Sequence, residues 1–279
     1  MTIVVILVSL APLVVLAVPV FVTYTGVKGL RNLKLIPLPV SKPRHDKDGL
    51  WADGNDFVFV GHFGTRLGIA ETHMAIWRRP DRPSFFCRYT VSAGRTEQTS
   101  YDFVTIFDGD VIVTTSDRSG GQMLPLPDGY YCQSFSQLGL DAQWSRHVDA
   151  ENFLMDVGGA TLRSLDKPFE ACFLDAVHKQ EAFIKTIPLW PLRGIEWFFV
   201  RRHRRHDLSL QVQYDRHMTR LPNEFPWFGA GPIVSLPRSH PKGRTHGLCQ
   251  PGEGPTKEGP PACGQLPARG PARDPHILW

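Results

Sequence analysis

Residues 101–115 read YDFVTIFDGDVIVTT. Tyr101–Phe107 and Val111–Thr115 are rich in β-branched and aromatic residues, and Asp108, Gly109 and Asp110 stand between them. Asp-Gly between two such runs is the sharpest short-range signal for a β-hairpin. Working outward, Phe85–Val91 alternates along its length and follows a Pro80–Pro83 turn. Before it come Phe57–Val60, a turn at Gly64–Gly68, and a strand over 69–77. After the hairpin, Asp117–Gly121 reads as a loop, Pro127-Asp128-Gly129 as a turn, and Tyr130–Phe135 as a further strand. Short strands joined by tight turns predict one twisted antiparallel sheet. Leu208, Leu210, Val212 and Tyr214 alternate with polar residues and predict one more strand, giving about six to seven.

Two helices follow the strands. Residues 138–156 gather Leu140, Trp144, Val148, Glu151 and Leu154 on one stripe, and Gly158-Gly159 closes the helix. The second begins after Asp166 with Pro168 in its first turn. Its apolar residues Phe169, Cys172, Phe173, Ala176, Val177, Phe183 and Ile184 recur every three to four positions. Strands first and helices second predict an α+β fold, with both amphipathic helices covering one face of the sheet.

The N-terminus differs sharply from this block. Ile3–Tyr24 is a run of 22 residues without a charge, and the first charged residue is Lys28. As a helix it would span about 33 Å, against about 30 Å of hydrocarbon. The run exceeds a signal-peptide core, and no Lys or Arg precedes it. A single transmembrane anchor over 1–27 is therefore expected, in spite of Pro12 and Pro19, which membrane helices tolerate. Lys28, Arg31, Lys34, Lys42, Arg44 and Lys47 follow it. By the positive-inside rule this flank, and the main domain after it, lie in the cytoplasm. Five cysteines without framework spacing agree with a reducing compartment.

The chain thus divides into an anchor at 1–27, a basic, Pro-containing tether at 28–50, a domain at 51–235, and a tail at 236–279. The tail holds nine Pro and seven Gly in 44 residues, a composition that predicts disorder. Within the domain, 187–200 is apolar and runs into Arg201-Arg202-His203-Arg204-Arg205-His206. Fourteen residues are too few to span a bilayer, and Arg193 and Glu196 oppose spanning. Trp190 and Trp197 beside a basic cluster suit the headgroup layer. Residues 187–206 are accordingly read as an interfacial segment, with Trp190, Trp197, Arg201, Arg202, Arg204 and Arg205 as its membrane contacts. Packing of the same segment on the domain explains the pattern equally well.

A net charge of +4 is too small to argue for nucleic acid, and no nucleic-acid-binding motif accompanies the arginines. No phosphate loop, dinucleotide fingerprint, nucleophile elbow or Cys-x-x-Cys pair is present. His62, Glu71 and His73 are the candidate metal site, since a turn at 64–67 puts all three on one strand face. Two imidazoles and a carboxylate can hold a divalent metal with an open position. Ordinary solvated strand residues account for the pattern more simply, so no catalytic residue and no cofactor is assigned. His147 reads as a packed or surface histidine beside Trp144 and Glu151.

The expected function is that of a single-pass membrane protein with a non-catalytic cytoplasmic domain for binding, scaffolding or sensing. Its expected partners are the bilayer, anionic lipid headgroups and an unidentified protein. The alternatives are a membrane-tethered metal enzyme using His62, Glu71 and His73, and a lipid- or small-molecule-binding domain with Trp144, Phe169 and Phe173 lining a cavity between sheet and helices.

Overall fold

A computed structural model describes residues 2–39, 46–67, 70–93, 96–118, 124–164 and 167–226. The expected disordered tail, 236–279, lies outside the described residues. The elements run α1 (Thr2–Arg31), β1 (Ile36–Pro37), α2 (Lys47–Gly54), β2 (Val58–Leu67), β3 (Ala70–Arg78), β4 (Ser84–Ala93), β5 (Thr96–Ile106), β6 (Ile112–Ser116), β7 (Tyr130–Ser134), α3 (Leu140–Asp156), α4 (Phe169–Thr186) and α5 (Trp190–Glu196). A π-turn at Trp197–Arg201, α6 (Arg202–Arg204), α7 (Leu210–Asp215) and a 3₁₀ turn at Pro222–Glu224 complete them.

The hairpin of β5 and β6 forms as its Asp-Gly signal predicts. Gly109 and Asp110 both take positive φ, 68° and 60°. Those left-handed conformations match the turn to the twist of its strands, and Gly and Asp adopt them at little cost. The seven strands follow one another in sequence order across a single sheet. All neighbours are antiparallel except β6 and β7, which run parallel, with Ile112 opposite Tyr130. The mixed α+β class agrees with the sequence reading, but the sheet is not wholly antiparallel as expected: the chain between β6 and β7 is a longer connection that brings β7 back alongside β6 in the same direction.

Coverage of the sheet does not. Phe86 and Phe103 point to one face, where Trp51 of α2 and Leu140 and Trp144 of α3 pack on them. Phe85, Cys87, Tyr89 and Ile106 point to the other, under Phe169, Cys172 and Phe173 of α4. The two helices therefore cover opposite faces, not one. The cause lies in the strands: β4 carries large apolar groups at both parities, so each face needs a cover. On the α3 side the rings form a ladder, with Trp77 stacked on Phe86 at 5.0 Å and Phe86 on Phe103 at 5.1 Å.

Two further expectations are corrected. The predicted strand at 208–214 is the helix α7. Ser209 caps it by accepting from the Val212 N–H, and Leu210 and Gln213 are its buried positions. The stretch 28–50 is not a free tether. Ile36 and Pro37 pair with Gly64 and Phe63 at the sheet edge, and Asp46 caps α2. Arg88 binds the Asp46 and Asp48 carboxylates at 2.6 and 2.9 Å, tying α2 to β4. Residues 40–45 lie outside the described residues.

Candidate functional site

The metal candidates come first, because strand register decides them. β2 continues through the expected turn, so His62 faces Ala75, Gly64 faces His73, and Arg66 faces Glu71. All three candidates do share one face, as the sequence implies. They are spread along the ladder, however, and Glu71 binds Arg66 at 2.9 Å. His62 is turned toward Phe59, ring centroids 5.0 Å apart, and burial followed by the Arg88 charge lowers its pKa. Among the described residues no three His, Cys, Asp or Glu side chains stand together to hold a metal ion.

A second polar cluster was legible only in part. His147 and Glu151 project from consecutive turns of α3 into the sheet and are fully buried. His147 Nε2 lies 2.9 Å from Thr105 Oγ1, and its Nδ1 lies 2.9 Å from Thr115 Oγ1. Ser84 donates to Glu151 at 2.8 Å, Thr105 also donates to it, and Arg82 reaches it from the rim at 3.4 Å. Burial opposes the Glu151 charge, but the bonds from His147, Thr105 and Ser84 outweigh it and bring the carboxyl down to about 2. With every partner inside the protein, this network fixes how α3 sits on the sheet.

On the opposite face α4 and the sheet enclose a cavity of about 220 Å³. Phe169 and Phe173 line it, as expected; Trp144 does not, because α3 covers the other face. Asp102 also lines it, with Oδ1 buried and without a hydrogen-bond partner among the described residues. Nearby, Arg118 packs over the Tyr89 ring at 5.3 Å and donates to Ser100 at 3.2 Å. Cys132 borders the cavity, and burial pushes its thiol up to about 12, so it is held as an unreactive thiol.

The third region is the junction of α1, α4 and α5. Val27, Ile184 and Trp197 form its buried centre, with Ile187 and Trp190 around them. Gly194 lets the helices meet: a Cβ there would stand 2.9 Å from the Pro19 carbonyl oxygen and would also strike Thr23. Trp190 stacks on Tyr24 at 5.9 Å. No protein-family model, curated protein or solved structure gives a significant match to this chain.

The expected membrane contacts divide. Trp190 is half-buried at the rim, but Trp197 is 3% exposed and faces α1 and α4. Arg204 is exposed, whereas Arg201 and Arg205 are half-buried. Burial, with their mutual repulsion second for Arg201, lowers the pKa of Arg201, and burial lowers that of Arg205. Arg205 donates to the Met218 carbonyl at 2.6 Å. Arg202 has no described side chain. The outward apolar positions are others: Leu189 is 72% exposed, and Leu192, Phe199 and Val200 are also exposed. Phe21 of α1 is 67% exposed, with Leu16, Val18, Val22 and Tyr24 beside it. Helix phase, which the π-turn shifts after Trp197, hid these positions from a simple reading of aromatic spacing. Among the described residues, no helix is long and apolar enough to cross a membrane; the described side chains of α1 begin at Leu16.

Proposed function

We propose that the chain is a single-pass membrane protein anchored through Ile3–Tyr24, with a cytoplasmic α+β domain that binds, scaffolds or senses at the bilayer surface. One observation carries this reading. Nine of the fourteen exposed large apolar side chains among the described residues lie on α1 and 189–200. Scattered surface apolar groups need no explanation, but a gathering of them does. Lys28, Arg31 and Lys34 follow the apolar run and favour the cytoplasmic side. A binding role, in preference to an enzymatic one, is supported by the sealing of His147 and Glu151 beneath α3 and by the Arg66–Glu71 pair. Anionic lipid headgroups and a protein of unknown identity are the proposed partners.

Alkaline carbonate extraction of membranes from cells expressing the full chain tests the anchor. The chain should stay in the pellet; release into the supernatant would end this reading. In proteoliposomes, lipids brominated near the headgroup should quench Trp190, and Trp190→Phe should remove that component.

The cavity under α4 favours a second reading, in which the domain carries a small apolar ligand. Its walls are mostly aromatic and aliphatic, with Asp102, Thr114 and Gln180 as polar lining. Organic extracts of the purified chain should then contain an apolar molecule, and Ala176→Phe should eliminate it. Identical extracts from the two proteins would sink the idea.

A further inference from the structure

Where α1 leaves its apolar stretch, a cavity of about 340 Å³ opens between α1, α4 and α5. Tyr24, Val27 and Trp190 form its apolar wall, and Lys28, Arg31, Asn32 and Lys185 supply its polar lining. Lys28 Nζ sits 6.0 Å from the Tyr24 ring centroid. The acidic group packed nearby is Glu181, which pairs with Lys185 one helical turn away. Glu181 neutralises one cation and leaves the pocket with a net excess of positive charge. Tyr24 is itself exposed, and Leu16, Val18 and Phe21 continue the exposed apolar surface along α1.

We infer that this pocket binds the phosphate of an anionic glycerophospholipid, with the acyl chains lying along the exposed side of α1. The inference rests on the proposed membrane location. Three features support it. Lys28 and Arg31 of α1 and Lys185 of α4 line one cavity, and with Lys185 paired to Glu181 it is Lys28 and Arg31 that supply the uncompensated charge for a phosphate. The stacked aromatic pair marks the headgroup level, where amphipathic rings sit. The apolar surface begins directly beside the cations, which matches an amphiphile and not a free anion. Basic pockets between helices at the cytoplasmic boundary are the expected receptors for such headgroups.

The test uses the full chain in a neutral maltoside detergent. Quenching of tryptophan emission is titrated with brominated phosphatidylglycerol, brominated phosphatidylcholine, and glycerol 3-phosphate as competitor of the first. Phosphatidylglycerol should bind in preference to phosphatidylcholine. Each of Lys28→Gln and Arg31→Gln should reduce that preference about fivefold, the effect of roughly 1 kcal/mol per cation. Lys167→Gln, an exposed cation at the opposite end of α4 from Lys185, should leave it unchanged. An equal loss in Lys167→Gln, or none in Lys28→Gln and Arg31→Gln, would overturn the site. Full competition by glycerol 3-phosphate would overturn the lipid as its source. Binding in detergent does not depend on bilayer insertion, so carbonate release with intact lipid preference would defeat the anchor and not the pocket.

Discussion

Glu151 combines a charge with near-complete burial, which a protein tolerates only when partners are fixed around it. Its folded pKa of about 2 lies below the ordinary 4.5, so the carboxylate is bound more tightly in the folded state than in the unfolded one. Its contribution is therefore complete above about pH 4.5 and is lost as the pH falls from there toward 2. Glu151→Gln should lower stability by about 1–3 kcal/mol at neutral pH and flatten the acid limb of a denaturant-midpoint profile. An unchanged acid limb would mean that another group governs it. The presence of His147 beside Glu151 on one helix face was readable from their i, i+4 spacing. Their partners were not, since Ser84, Thr105 and Thr115 come from three separate strands.

Among the elements, α1 and α5 depend on one small residue. The near approach at Gly194 leaves no room for a methyl group against the Pro19 carbonyl. Gly194→Ala should destabilise this junction by about 1–3 kcal/mol. The effect should appear as a lower melting temperature of the detergent-solubilised chain and faster proteolysis between α4 and α5. Faster proteolysis elsewhere alone would place the damage outside the junction. The α7 segment teaches a related lesson. Leu208, Leu210, Val212 and Tyr214 alternate as a strand would, but over so few residues two periods fit the same letters. Ser209, one of the polar residues of that alternation, instead caps the helix that forms by accepting from the Val212 N–H.

At the scale of the whole molecule, the apolar N-terminal run and the exposed face of 189–200 belong to one proposed membrane-facing region. The cations after that run support the proposed cytoplasmic placement of the domain, and orientation can be measured directly. A C-terminal fluorescent protein should fold and fluoresce, while a C-terminal secreted phosphatase should stay inactive. The opposite pair of results would invert the topology. It would also place the buried thiols of Cys87 and Cys132 in an oxidising compartment.

The sequence alone determined the features that depend on neighbours along the chain. These are the Asp-Gly hairpin, the α3 and α4 stripes, the α+β class and the apolar N-terminal run. Each is set by local conformational preference or by periodicity within one element. Tertiary structure alone decided which face each helix covers, that 36–37 joins the sheet edge, and that Trp197 is buried while Phe199 is exposed. It also decided that Glu71 pairs with Arg66 and that Lys28, Arg31 and Lys185 line one cavity. Those outcomes depend on register and on packing between segments far apart in the chain, where a shift of one residue reverses the face a side chain presents.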